Sequence, residues 1–178
     1  ALLAAPRAAD FSLDAVARRA RVTRATVYHQ FGTRARLLEA LFDDLAARGG
    51  MGDLADAFRQ RDPEEALARY LATFARFWTV HRAIHRRLRP LAALDAELGR
   101  ALQARQEWRR QGLRVLAKRF PERHGARAAA FDETVDALFM LSAFETFDVL
   151  AGPRRKPSDV APAVLRLARA ALGLKPRV

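Results

Sequence analysis

The chain has 178 residues, no cysteine, and 32 Lys+Arg against 20 Asp+Glu, a formal charge of +12. Disulfides and thiolate chemistry are excluded, no apolar run reaches the length of a membrane span, and a reducing, cytoplasmic setting is expected. The positive surplus favours polyanions through counterion release, but residues 1–50 hold only eight arginines against five carboxylates. Most of the surplus therefore lies beyond them, and charge alone locates no binding site.

In chain order, Ala1-Leu-Leu-Ala-Ala5 lacks the basic start of a signal peptide and reads as the end of a helix whose beginning is absent. Ser12 is a suitable N-cap for a helix over 13–20, with Leu13, Val16, Ala17 and Ala20 facing inward. Thr23 caps a second helix over 24–31 whose inner face is Val27 and Phe31. Gly32-Thr33 ends it and caps a third over 34–47, with Leu37, Leu38, Leu41, Phe42 and Leu45 inward. Gly49, Gly50 and Gly52 mark a boundary, because glycine clusters punctuate helices.

Beyond the boundary, Asp62-Pro63-Glu64-Glu65 supplies a cap, a proline at the first helical position and acids at the positive end of the dipole. That helix is predicted to run to Val80. Another over 83–94 is expected to be interrupted or kinked at Pro90. A long one spans 95–120 and stops at Pro121, one helix covers 126–151, and the last covers 158–172. Sustained period-two alternation is absent, so the fold class is all-α.

The 126–151 stretch is apolar around most of its circumference: Phe131, Val135, Leu138 and Ser142 share one stripe, and Leu141, Phe144, Phe147 and Leu150 cover another. Such a helix is buried on two sides. Either it is the central helix of a monomeric bundle or its second side meets another subunit, for which Phe131, Val135, Leu138, Phe147 and Leu165 are the candidate contacts.

The first two helices joined by a tight turn have the layout of a helix-turn-helix, whose second helix enters the major groove of DNA. A reading helix needs a capped N-terminus near phosphate, short side chains for close approach and long polar ones for reach. Thr23 supplies the cap, Ala25 and Thr26 are short, and Arg24, Tyr28 and His29 reach outward if Val27 and Phe31 face inward. As a bare pattern these are also ordinary helix-surface residues.

Phe11-Ser-Leu-Asp-Ala-Val-Ala17, Val22-Thr-Arg-Ala-Thr-Val-Tyr-His-Gln-Phe-Gly-Thr-Arg34 and Leu37-Leu-Glu-Ala-Leu41 together resemble the DNA-binding domain of the TetR family of bacterial transcriptional regulators. The remainder resembles that family only in length and helix pattern. The resemblance implies nine helices with the first truncated: a helix-turn-helix DNA-binding domain over 1–48 and a helical ligand-binding and dimerisation domain over 49–178. It implies an Ω-like homodimer on a palindromic operator in double-stranded DNA, usually a repressor released by a small-molecule effector.

Carried over by position, Ser12 touches a phosphate, and Thr23, Arg24, Ala25 and Thr26 form the reading end. Tyr28 and His29 match the aromatic pair on backbone and base edges, and Thr33-Arg34 stands where the family places a lysine on a phosphate. Two departures stand out. Arg21 replaces the glycine favoured in the turn, and only Ala1–Ala5 remains of the first helix, so the sequence is expected to begin after a lost segment.

In the second domain Phe74, Phe77, Trp78, His81, Trp108, Phe139, Met140 and Phe144 are candidates to line an apolar effector cavity, although aromatics at helical spacing equally make plain core. His81 and His85 are four apart, but they straddle a predicted helix junction with no carboxylate nearby, so no metal site is expected. Glu145 and Asp148 could meet arginines, a basic ligand or solvent. The clusters Arg82, Arg86, Arg87, Arg89 and Arg105, Arg109, Arg110, Arg114 read as solvated faces. No phosphate-cradling glycine loop, metalloprotease-type histidine pair or nucleophile with a base is present, so neither an enzyme nor a cofactor is expected. The competing reading is a helical scaffold that binds acidic partners without operator specificity.

Overall fold

The computed structural model describes residues 12–120 and 128–174. The described residues are helical and contain no strand, and they divide into two compact units. The first holds the described residues up to Leu45 together with Ala83–Arg105, and the second holds Ala46–Arg82 and the chain from Gln106 onward. The stretch Ala83–Arg105, read from sequence as part of the second domain, thus lies in the same compact unit as the described residues up to Leu45. Ala1–Ala5, read from sequence as the end of a helix, lies outside the described residues.

In the first unit, α1 (Leu13–Ala20) starts on Ser12, whose Oγ accepts the Ala15 N–H at 3.2 Å. It ends in a Schellman motif: Arg21 N–H donates to the Arg18 carbonyl at 3.3 Å and Val22 N–H to the Ala17 carbonyl at 3.1 Å. That geometry needs a left-handed residue, and Arg21 takes it, with φ 57° and ψ 39°. A side chain there works against its own carbonyl. Arg21→Gly is therefore expected to stabilise the unit by roughly 1 kcal/mol, read as a higher melting temperature with an unchanged helical spectrum.

Thr23 begins α2 (Arg24–Phe31), its Oγ1 accepting from the Thr26 N–H at 3.1 Å. Gly32, at φ 70°, closes α2 and returns its N–H to the Tyr28 carbonyl. Thr33 then caps α3 (Arg34–Arg48) through the Arg36 N–H at 3.3 Å. Ala15, Ala17, Val27, Leu37, Leu38, Phe42 and Leu45 are buried in this unit, as are Leu88 and Leu98 from the Ala83–Arg105 stretch.

Two short elements, a 3-10 turn at Met51–Asp53 and α4 (Leu54–Arg59), occupy the stretch that reads from sequence as a simple boundary. Gly50, at φ 73°, sits against Arg76, whose Nη2 donates to the Gly50 carbonyl and to Asp53 Oδ2, each at 2.7 Å. Helix α5 (Pro63–Val80) begins as expected, with Asp62 Oδ1 accepting the Glu64 N–H at 3.1 Å. It buries Leu67, Tyr70, Leu71, Phe74, Phe77 and Trp78.

Helix α6 (Arg82–Leu94) runs through Pro90 without interruption. Pro90 is exposed, and one missing backbone hydrogen bond on an outer face is tolerated there. A single residue, Asp95, separates α6 from α7 (Ala96–Ala117). The elbow is tight: a Cβ added at Gly99 would lie 2.9 Å from the Ala92 carbonyl oxygen. Because the obstacle is backbone, Gly99→Ala is expected to cost about 1–3 kcal/mol despite alanine's better helix propensity, measured by denaturant titration.

The predicted single helix over 126–151 is two helices, α8 (Ala128–Leu141) and α9 (Phe144–Ala151). Ala143 is extended, at φ −71° and ψ 150°. Tertiary partners hold the break. The Trp78 indole N–H donates to the Ser142 carbonyl at 3.0 Å, and Arg109 donates to the Phe139 carbonyl at 2.6 Å and to Ser142 Oγ. A 3-10 turn at Pro157–Val160 leads into α10 (Ala161–Ala171), which packs on α5 and α8.

Candidate nucleic-acid interface

Helix α2 is short, and its inner face is almost entirely Val27, 4% exposed, with Phe31 half-buried. Fixing those two side chains turns the rest of the helix outward. Thr23, Arg24, Ala25, Thr26, His29 and Gln30 are exposed, and Tyr28 is 61% exposed. An exposed tyrosine beside an exposed histidine has no packing role here, and both rings carry polar atoms suited to base edges and phosphate. Gln30 was not singled out from sequence. It follows from the same geometry, and its amide can both donate and accept.

The first turn of α2 offers N–H groups and short side chains together. Thr23 Oγ1 lies 2.8 Å from Thr26 Oγ1, so both hydroxyls are pre-oriented at the helix start. Arg24 Nε lies 3.2 Å from Asp14 Oδ1 in an exposed pair, a contact worth no more than about 1 kcal/mol. A phosphate can take that guanidinium at little expense. Ser12 is half-buried, with its oxygen already accepting the α1 cap bond, so only its hydroxyl proton remains to meet a phosphate. Thr33 is exposed at the start of α3.

Arg34 does not stand open as its sequence position implied. Its guanidinium meets Asp95 through a two-pronged pair, Nη1 to Oδ1 at 3.2 Å and Nη2 to Oδ2, while Nη1 also donates to Glu97 Oε2 at 2.5 Å. The Asp95 hydrogen bond raises the Arg34 pKa against the opposing effect of burial. The same bond, helped by the Leu98 N–H at 3.0 Å, holds the Asp95 carboxyl below its ordinary value of 3.8. A carboxylate with a lowered pKa contributes stability that is complete above its unfolded value and lost as pH falls through the folded one. The clamp is therefore intact at neutral pH and opens only in acid. Arg36, two residues on, is an exposed cation that the sequence reading passed over.

The candidate effector residues separate into two groups. Phe74, Phe77, Trp78, His81 and Phe144 are buried and pack ring on ring, with centroids 5.6 Å apart for Phe74–Trp78, 4.8 Å for Phe77–Trp78, 5.2 Å for Phe77–His81 and 5.8 Å for Trp78–Phe144. Trp108 and Met140 are 67% and 60% exposed and do not join them. Phe139 lies under Arg109 and Arg110, whose guanidinium carbons are 3.9 and 4.2 Å from its ring centre. His81 ends α5 in a non-helical conformation and His85 belongs to α6, so the four-residue spacing does not put them on one helical face. Among the described residues no group of three or more metal-ligating side chains occurs.

The candidate subunit contacts are corrected in part. Val135, Leu138 and Phe147 are each 0% exposed within the single chain, so they are core and offer no surface to a partner. Phe131, 5.4 Å from the Arg114 guanidinium carbon, and Leu165 are half-buried. The arginine clusters are not simply solvated either. Arg109 is 5% exposed, Arg110 pairs with Asp136, and Arg114 Nη2 meets Asp132 at 2.6 Å. Asp148 meets Arg82 Nε at 2.5 Å, and Arg82 Nη2 also reaches the Gly152 carbonyl at 2.6 Å.

Residues 7–41 match the bacterial regulatory proteins, tetR family. The whole fold is similar to the crystal structure of a TetR family transcriptional regulator, PfmR from Thermus thermophilus. The TM-score is 0.57 and the identity 22%, over 96% of this chain and 92% of that one. No curated protein sequence matches the chain. No described helix is long and apolar enough to cross a membrane. The matched segment spans the capped helix pair and its outward-facing α2, so that stretch is similar to the tetR family of bacterial regulatory proteins, and the likeness of the whole chain to the solved regulator is one of fold.

Proposed function

We propose that the chain is a sequence-specific transcriptional regulator that binds a palindromic operator as a homodimer through Thr23–Thr26, Tyr28 and His29. It works in the cytoplasm, as a repressor that leaves DNA when a small-molecule effector binds the second unit. The observation that carries the DNA reading is α2 itself, a capped helix held by Val27 and Phe31 with every other polar side chain outward. Exposed Met140, Val149 and Leu167 replace Val135, Leu138 and Phe147 as the surface for the second copy. Arg82 and Arg169 are held in pairs largely withdrawn from solvent, which takes two cations from the surface that the scaffold alternative would use.

Selection of bound sequences from a random duplex library tests this reading. The expected result is one enriched inverted repeat whose half-sites are spaced by about 10 base pairs or a multiple. Salt-sensitive retention without any enriched sequence would favour plain polycation binding.

A further inference from the structure

We propose that Asp95 and Glu97 form an internal decoy for DNA phosphate, which holds Arg34 off the backbone and sets how tightly the chain binds DNA. The inference rests on the DNA-binding reading of α2. Arg34 opens α3, three residues past the end of the reading helix. The start of a helix is a poor place for a cation, because the dipole is positive there, and a good place for an anion. Here the anion is supplied from within the chain, 61 and 63 residues away.

The two-pronged contact of Asp95 on Arg34 is the geometry that guanidinium also makes with phosphate, so the carboxylate and a DNA phosphate compete for the same donors. One carboxylate would neutralise Arg34, and the second leaves the cluster with net negative charge that repels an approaching phosphate. The cluster is nonetheless reachable. The side chains of Arg34, Asp95 and Glu97 are 23%, 33% and 33% exposed, so the exchange needs no unfolding. Asp95 is also the single residue between α6 and α7.

The test measures binding of a short fluorescent duplex of random sequence across a salt series for wild type, Arg34→Gln, Asp95→Asn/Glu97→Gln and the triple variant. Asparagine keeps the cap on the Leu98 N–H, and Glu97→Gln alone provides a milder variant that leaves Asp95 untouched. Freeing Arg34 should steepen the slope of log affinity against log salt by about 0.9 per chain and tighten binding on the order of fivefold per chain at physiological salt. Arg34→Gln should weaken wild type far less than it weakens the opened form, because in wild type it removes no phosphate contact and only adds to the negative charge of the cluster, and it should erase the gain in the triple variant.

The proposal is overturned if the carboxylate variants bind no tighter than wild type, or if the gain survives in the triple variant and so reflects only net charge. It is equally overturned if Arg34→Gln weakens wild type as much as it weakens the opened form. Failure of every variant to bind duplex DNA would instead sink the DNA-binding reading itself.

Discussion

Phe147→Ala is expected to destabilise the second unit by about 3–5 kcal/mol, a large share of the 5–15 kcal/mol that typically holds a domain together. Phe147 is 0% exposed at the centre of α9, a helix of only eight residues whose other buried members are Phe144 and Ala151. So short a helix has little stability of its own, and its most deeply buried side chain does most to tie it down. The loss should appear in denaturant titration and be independent of protein concentration. A subunit contact behaves differently: its truncation leaves the fold of the monomer intact and weakens dimerisation. A raised dimer dissociation constant with monomer stability unchanged would return Phe147 to the interface.

The opposite signature is expected for Tyr28→Ala combined with His29→Ala. Both residues are exposed, so melting should be unchanged, because surface substitutions rarely move stability by more than about 0.5 kcal/mol. Each lost base or backbone contact costs about 1–3 kcal/mol, which for the pair means roughly a hundredfold loss of operator affinity or more. Binding to random duplex should fall far less, because the arginines that supply nonspecific attraction remain. If specific and random binding fell equally, the two rings would be contributing to general affinity and the reading surface would lie elsewhere.

What could be read from the sequence was whatever neighbouring residues decide. Ser12, Thr23 and Asp62 each sit just before a helix and cap it as their side chains predict. Val27 and Phe31 fall inward because a helix of that length has one narrow apolar face. The left-handed turn at Arg21 was legible only by comparison with a family that places glycine there.

Distant partners decided the rest. The apolar pattern runs through Ser142-Ala143 with no glycine or proline, and the break there is held by Trp78 and Arg109, separated from Ser142 by 64 and 33 residues. An apolar stripe also cannot say which chain covers it, so Val135, Leu138 and Phe147 read equally as core or as interface, and only their burial within the single chain decides. Arg34 is the same lesson in charge. Its local sequence marks it as a phosphate anchor, and only the fold brings Asp95 and Glu97 to its guanidinium.

The central claim, that α2 reads DNA, is tested most directly by footprinting the duplex enriched from the random library in the presence of excess random competitor. Wild type should protect both half-sites of an inverted repeat, and the Tyr28→Ala/His29→Ala variant should protect neither while melting like wild type. Wild-type protection that disappears under competitor, or protection that persists in the variant, would contradict it.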